Sequence, residues 1–453
     1  MAENRDLARA MARLDTLTDW ERRPRNTMRV GLEPMQDLAA RLGHPARSFR
    51  AIHVAGTKGK GSVSALIEAA LAHAGLRVGR YASPHVERIT ERVSVQGHDV
   101  DEPTLARALN QALDAYETAR KAGTPAADAT WFDLLTAAAF IIFTEAQREW
   151  AVIEVGLGGR LDSTNVVDGE IAVVTNIELE HTEILGKTRA AIAGEKVGIL
   201  KPGAVLVTTL GTDDEAGRVL QTRADELGSR VKRTRLDASA PIEQINLALA
   251  AAVLGELRRK GVSGRSGEPV GAALLDGDTR AAARLPGRME RFDIQMGSTR
   301  LPVVLDGAHV PFNIGAVLRD LALEPDLSGP CVAIVALAAD KDAEGFVAEL
   351  DGRASTIVFT DLPGSSRGRA PAELRALAGS LGLTSEVEPD AKRALARGLE
   401  LARQANAWLL VTGSLYLVGA LRPAIGEAAR MPDRAGAAPV VGQAPVRGHD
   451  GSG

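Results

Sequence analysis

The stretch Ile52-His-Val-Ala-Gly-Thr-Lys-Gly-Lys-Gly-Ser-Val63 decides the reading of this chain, because an apolar strand runs into a glycine-spaced turn carrying Lys60 and Ser62. Glycines let backbone N–H groups curl around an anion, and the run Val63 to Ala74 sets a helix N-terminus beneath it. Lys60 and Ser62 are then placed for a phosphate and a Mg²⁺ ion, so the expected ligand is a nucleoside triphosphate. The strict phosphate-loop pattern is not met: Val54 occupies its first glycine position, and Gly61 separates Lys60 from the hydroxyl residue. A plain glycine-rich strand-to-helix turn is the alternative, and other segments must decide.

Composition narrows the field. With 453 residues the chain is long for one core, so two domains are expected. A hydrophobic content of 45% and a charged content of 25% are ordinary for a soluble globular protein, and a net charge of -4 gives no global reason for nucleic acid or an anionic membrane as partner. The single Cys331 excludes an intramolecular disulfide, and the opening Met1-Ala-Glu-Asn-Arg-Asp6 lacks the apolar core of a signal peptide. Leu134 to Phe143, the longest nearly apolar stretch, is far short of the ~20 residues of a membrane span. A cytoplasmic enzyme is expected.

Val- and Ile-rich runs alternate with helix-like runs along the chain: Ala51 to Val54, Ala151 to Val155, Ile171 to Asn176, Ala204 to Thr208, Val303 to Leu305, Cys331 to Leu337, Ser355 to Phe359 and Ala407 to Val411. This is the α/β pattern of parallel sheets with helical crossovers. The polar stretch Gly261 to Pro269 reads as a surface loop, and a new strand-helix series begins after Pro286-Gly-Arg288. The expected organisation is a nucleotide-binding domain over 1–295, a second domain over 296–430 with the boundary near Met296, and a disordered Pro/Gly/Ala-rich tail over 431–453.

Four further segments carry candidate chemistry. Arg80-Tyr-Ala-Ser-Pro-His-Val-Glu-Arg-Ile-Thr-Glu-Arg92 places Ser83 and His85 just after a short strand, Arg77 to Tyr81, where functional residues collect in doubly wound sheets. Ile153-Glu-Val-Gly-Leu-Gly-Gly-Arg-Leu-Asp162 puts Glu154 at the end of an apolar strand, where a divalent cation is an economical partner for it. Val173-Val-Thr-Asn-Ile-Glu-Leu-Glu-His-Thr-Glu183 empties a strand into carboxylates around His181, with a solvated acidic loop as the alternative. Glu195-Lys-Val-Gly-Ile-Leu-Lys-Pro-Gly203 sets Lys196 near the end of a helix facing the same edge; alone, such a lysine is most often surface decoration.

In this order the segments resemble the Mur ligase superfamily, and within it the folylpolyglutamate synthase and dihydrofolate synthase family. The resemblance runs from about Val30 to Arg422, and its second half includes Leu285-Pro-Gly-Arg288, Leu305-Asp-Gly-Ala-His309, Asp340-Lys-Asp342 and Gly413-Ser-Leu-Tyr416. It implies a Mur-ligase-like N-terminal ATPase domain with a parallel-rich sheet, and a smaller C-terminal doubly wound α/β glutamate-ligase domain, with ATP in the cleft between them. By the same resemblance Gly56, Thr57, Gly59, Lys60, Gly61 and Ser62 cradle the phosphates, Asn246 lies on the adenine side, and Arg288 reaches the phosphates. Ser62, Ser83, Glu154 and His181 hold Mg²⁺ together with Lys196, which would be carbamylated and so act as an added carboxylate. Asp306 and His309 contact nucleotide or incoming glutamate.

Acceptor contacts fall, by resemblance, on Thr130, Trp131, Phe132 and Asp133, and on Leu161, Asp162 and Ser163. Flat rings suit a pterin or aminobenzoyl group, and a Trp-Phe pair is notable in a chain with 3% aromatic residues, while core packing is the alternative for both. The implied activity is ATP-dependent addition of L-glutamate to dihydropteroate, to reduced folates or to both, through an acyl phosphate, by a monomer that engages neither nucleic acid nor membrane. Departures from the family pattern are Lys58 for a common Asn, Ile89 and Thr90 within Glu87-Arg-Ile-Thr-Glu-Arg92, Val310 for a frequent Asn, and Ile242-Glu243 for a usual His-Gln. They keep two rivals open: a ligase of the same fold with a non-folate acceptor, and a non-catalytic nucleotide-binding regulator.

Overall fold

The computed structural model of the chain describes residues 3–21, 31–237, 239–364 and 367–430. The expected tail 431–453 and the start of the resemblance at Val30 lie outside these residues. Two compact units divide at Arg288/Met289.

The first unit is built on eight strands: β1 Arg50–Ala55, β2 Val78–Tyr81, β3 Val93–Val95, β4 His98–Asp99, β5 Trp150–Glu154, β6 Gly169–Val174, β7 Val205–Thr208 and β8 Arg230–Arg233. They form one sheet in the order β4-β3-β2-β5-β1-β6-β7-β8. Every neighbouring pair from β2 to β8 is parallel, and β3 and β4 add an antiparallel margin. Helices cover both faces, which is why the central strands are apolar without alternation. In β1, Ile52 and Val54 pack in a core shared with the helices Lys60–His73 and Ile242–Arg259, whereas Ala51 packs with Glu102–Ala122 and Trp131–Glu145 on the other face.

The strand order positions the site. From β1 the chain crosses to β2 on one side, returns to β5, and then passes to β6 on the far side of β1. The carboxyl ends of β1, β5 and β6 therefore open together at a reversal of strand order, where open α/β sheets leave a crevice for ligands.

The second unit has six strands, β9 Glu290–Met296, β10 Thr299–Leu305, β11 Cys331–Val335, β12 Ala354–Phe359, β13 Ser385–Val387 and β14 Trp408–Thr412, in the order β13-β12-β11-β14-β10-β9. All pairs are parallel except β9 with β10. That hairpin corrects the expected boundary near Met296: β9 pairs with β10 along its whole length, so the second unit begins at Met289. Gly261 to Pro269 forms the expected irregular loop, closed by a bridge between Ser263 and Pro269. No helix among the described residues is long and apolar enough to cross a membrane.

Candidate active site

The phosphate loop leaves β1 and enters the helix Lys60–His73 through Gly59, which has a φ of 82° and occupies the N-cap. A Cβ there would stand 2.7 Å from Asn246 Oδ1, so backbone conformation and proximity both require glycine. No side chain among the described residues caps this helix, and its first N–H groups are the kind of cradle that suits a phosphate. The closeness of Gly59 and Asn246 also brings the expected adenine-side residue to the loop. Asn246 itself is buried in the helix Ile242–Arg259.

The carboxyl end of β6 holds the loop in shape, a role the sequence reading did not assign. Thr175 Oγ1 donates to the Lys58 carbonyl at 2.5 Å, and the Lys58 N–H donates to Asn176 Oδ1 at 2.8 Å. The Glu178 N–H donates to Thr57 Oγ1 at 3.0 Å, which engages the Thr57 hydroxyl within the protein. Lys58 Nζ lies 3.2 Å from Glu180 Oε1, and that same oxygen lies 3.9 Å from His181 Nε2. The lysine in the usual asparagine position thus has a carboxylate partner beside the candidate metal-binding imidazole. The signal was visible as Thr-Asn at a strand end, two short polar residues following an apolar run.

Glu154 ends β5 and is 5% exposed. Burial pushes its carboxyl above the ordinary range, opposed by the charges of Lys60, Arg288 and Arg80 and by the Ser83 backbone N–H. A buried carboxylate facing cations at a phosphate loop is the environment a divalent ion would enter. The structure therefore brings together Lys60, Ser83, Glu154 and Arg288, while Gly61, whose Cβ would lie 3.4 Å from Glu154 Oε2, marks where the loop passes that carboxylate. Ser62 follows in the first turn of the helix, half-buried. His181 has a φ of 54° at the start of the short helix Thr182–Leu185.

Lys196 is buried, not surface decoration. Its helix, Arg189–Val197, ends against the turn after β5: a Cβ at Gly159 would stand 2.8 Å from the Glu195 carbonyl and 2.9 Å from that of Lys196, so only glycine admits this approach. The Lys196 amine donates to the Gly56 carbonyl at 2.8 Å, and the Lys60 amine donates to the same oxygen at 3.2 Å. Burial first, then the neighbouring charge of Lys60, push Lys196 down to about 7. Among the described residues no three His, Cys, Asp or Glu side chains gather into a metal cluster. The donor set here is of another kind, one buried carboxylate and an imidazole with hydroxyls and a lysine, and a carbamate on Lys196 would supply a second anion. The chemistry of the set fits Mg²⁺.

The acceptor-side residues divide. Thr130 caps the helix Trp131–Glu145 in a reciprocal box with Asp133. Asp133 also accepts from Ser163 Oγ at 2.6 Å, joining the two expected segments. Phe132 is half-buried, and a Cβ at Gly156 would stand 2.5 Å from its ring, which places it against the turn after β5. Leu161 is half-buried, and Asp162 is buried, accepting the N–H groups of Leu157 at 2.8 Å and Thr164 at 3.0 Å. Trp131 corrects the expectation of a paired aromatic face. Its ring is 2% exposed, its indole N–H donates to Asp15 at 3.2 Å, and the Arg92 guanidinium stacks 5.0 Å from its centroid. The first residue of a capped helix turns inward here, its ring packed in the core while its indole N–H reaches the exposed Asp15. Arg92 is held in turn by Glu21, with a contact of 2.5 Å, and by His85 at 2.9 Å.

In the second unit Asp306 and His309 follow β10. Asp306 is buried and accepts from the N–H groups of Met289 and Ala308 at 2.9 and 2.8 Å. His309 Nδ1 lies 2.9 Å from the Gly307 carbonyl, which can only accept, so the ring proton there is on Nδ1.

A phosphate loop at a strand-order reversal, a buried strand-end carboxylate and a buried lysine bonded to the loop fit a nucleotide-dependent ligase of the Mur type, and two family models identify that class. The Mur ligase middle domain matches residues 54–252 and the Mur ligase, glutamate ligase domain matches 287–415. The dihydrofolate synthase/folylpolyglutamate synthase of Bacillus subtilis is 31% identical over 435 residues, spanning 87% of this chain and 95% of that protein. Escherichia coli FolC in complex with DHPP and ADP superposes with a TM-score of 0.76 at 30% identity, covering 93% of this chain and 98% of that one. A bifunctional folylpolyglutamate synthase/dihydrofolate synthase with Mn, AMPPNP and L-glutamate bound gives a TM-score of 0.74 at 28% identity over 93% and 98% of the two chains. The chain belongs to the dihydrofolate synthase/folylpolyglutamate synthase family of Mur ligases, ATP-dependent enzymes that form an amide with L-glutamate.

Proposed function

We propose that this enzyme joins L-glutamate to both dihydropteroate and reduced folates, with Lys60, Glu154, His181 and Lys196 as its working centre. What supports the centre is the convergence of the Lys60 and Lys196 amines on one carbonyl of the phosphate loop, beside the buried carboxylate of Glu154, and what supports the two acceptors is the likeness to enzymes named dihydrofolate synthase/folylpolyglutamate synthase. A substrate carboxylate takes the γ-phosphate, and the glutamate amine then displaces phosphate from the acyl carbon, with no protein nucleophile required. Lys60 and the helix N-terminus offset charge on the transferring phosphoryl group. Mg²⁺ held by Ser62, Ser83, Glu154, His181 and carbamylated Lys196 would neutralise phosphate charge when bound. Asp306 and His309 would serve nucleotide or incoming glutamate, and Asn246 the adenine.

Thr130, Phe132, Asp133, Leu161, Asp162 and Ser163 are assigned to the acceptor side, Phe132 supplying the aromatic face. The formal charge of -4 supports small-molecule partners over nucleic acid or an anionic surface, and a cytoplasmic monomer is the expected form. The test is purified protein with ATP, Mg²⁺, L-glutamate and either dihydropteroate or tetrahydrofolate, read by product mass and phosphate release. Glutamylation of both acceptors supports the dual reading; activity on neither, with another acid accepted, leaves the non-folate ligase that the burial of Trp131 favours.

A further inference from the structure

His53 lies in β1, on the strand that runs directly into the phosphate loop, and it is completely buried. Its Nε2 stands 2.9 Å from Thr164 Oγ1, and that hydroxyl stands 2.5 Å from Asp162 Oδ1. Burial pushes the Asp162 carboxyl above its ordinary range, and the donors that ring both of its oxygens, the Thr164 hydroxyl and the N–H groups of Leu157, Thr164 and Gly156, oppose that shift and favour the carboxylate. A carboxylate so surrounded acts as an acceptor, so the Thr164 hydroxyl gives its one proton to Asp162. Toward His53 that oxygen can then only accept. The ring therefore carries its proton on Nε2, and Nδ1 is left as a lone pair with no partner among the described residues. Burial and the nearby Lys201 charge hold the ring neutral, its pKa pushed down to about 3.

We infer that His53 is a positioning residue for the acceptor side of the reaction: through Thr164 it fixes the carboxylate around which the turn from Gly156 to Ser163 is wound. That turn reaches further. Ser163 bonds Asp133 at the N-terminus of the helix carrying Phe132, and the Phe132 ring lies against Gly156. One line of bonded groups thus links the strand feeding the phosphate loop to the wall assigned to the acceptor. A group that must donate from a fixed place and stay uncharged is met by a buried neutral imidazole, and the bonded nitrogen is the far one, Nε2. The inference rests on the acceptor-side assignment of Phe132, Asp162 and Ser163.

The ring can be read in the full wild-type chain by ¹⁵N NMR of its histidines. The expected result is an Nε2–H tautomer for His53 that does not titrate between about pH 5 and about pH 8, unlike an ordinary imidazole. In kinetics, His53→Gln restores a donor near the Nε2 position and should keep the KM for dihydropteroate close to wild type. His53→Asn and His53→Ala should raise it about tenfold, the scale of one lost hydrogen bond, with the KM for ATP unchanged. Thr164→Val should match His53→Ala, and the double variant should be no worse than either alone. An Nδ1–H tautomer, an ordinary titration, or KM values for ATP and acceptor that rise together would each overturn the inference. A wild-type enzyme inert toward dihydropteroate but active on another acid would sink the functional reading instead, and the same KM comparison would then be made with that acid.

Discussion

The amine of Lys196 and the amine of Lys60 meet on one atom, the carbonyl oxygen of Gly56, at 2.8 and 3.2 Å. Burial disfavours the charge on Lys196, and the second ammonium at the same carbonyl adds to the effect. Lys196 falls to about 7, where a large share of the amine is neutral near pH 7 and can attack CO₂. The product, a carbamate, is an anion, which would turn repulsion by Lys60 into attraction and add a ligand beside Glu154.

Lys196 is accordingly expected to carry a carbamate. With ¹³C-bicarbonate, NMR of the protein should show a carbamate resonance that Lys196→Ala lacks. That variant should lose turnover by about 10²-fold or more, with partial recovery from added short carboxylates. A bare amine in a nucleotide- and metal-bound structure would argue against this.

Lys60→Ala should leave the fold intact and remove ligation. Lys60 is half-buried in the first turn of its helix, so little packing is lost, whereas the cation facing the phosphates is gone. Turnover should drop by at least about 10²-fold with the melting temperature unchanged, the pattern for loss of an electrostatic contact in the transition state. Turnover near wild type would remove this loop from the nucleotide site.

Gly59→Ala tests the cradle itself. The residue needs a left-handed backbone, costing roughly 1–2 kcal/mol for a non-glycine residue, and its Cβ would press on Asn246 Oδ1. Binding of ADP, measured by calorimetry, should weaken by about tenfold or more, since the first N–H groups of the helix would be displaced. Unchanged ADP affinity would separate both Gly59 and Asn246 from the nucleotide.

The parts of the fold that were legible in the sequence are those buried on both sides. β1, β5, β6, β7, β11 and β14 are largely apolar, with breaks such as Arg50 and His53 in β1 and Glu170 in β6, because helices cover both faces of their sheets. The strands β8, Arg-Val-Lys-Arg, and β13, Ser-Glu-Val, escaped because each lies at the edge of its sheet, where charged residues are tolerated and no apolar run is required. β9 escaped for a related reason, as the antiparallel edge of the second sheet, and that moved the domain boundary. In the site, glycine spacing marked the phosphate loop, and Glu154 stood out as a charge ending an apolar strand. Thr175 and Asn176 were legible as two polar residues at a strand end, but their bonds to Lys58, the Lys58–Glu180 pair and the His53–Thr164–Asp162 line were not, since each joins residues far apart in sequence.

Stability should fall in acid partly through His53. The ordinary imidazole value of 6.5 applies to the unfolded chain, and the folded value is about 3, so between these the unfolded state binds the extra proton. Stability therefore rises with pH across this window, and this contribution is lost as pH falls from 6.5 toward 3. His53→Gln should flatten the dependence of the urea midpoint between about pH 6.5 and about pH 4, compared with wild type. An equal slope in both proteins would mean that the ring is protonated in the native state.

The aromatic pair at the start of the helix Trp131–Glu145 should separate into a structural and a substrate residue. Trp131 is sealed, bonded to Asp15 and stacked by Arg92, so Trp131→Ala opens a core cavity and should cost about 3–5 kcal/mol of stability, read as a lower urea midpoint. Phe132 is half-buried against the Gly156 turn, with its ring 6.0 Å from that of Tyr81. Phe132→Leu keeps apolar volume but removes the flat face. It should raise the KM for dihydropteroate by about 3–10-fold, the scale of an aromatic contact worth ~1 kcal/mol, while the KM for ATP stays fixed. If Trp131→Ala proved stable and selectively weakened acceptor binding, or Phe132→Leu left the acceptor KM unchanged, the division between them would be wrong.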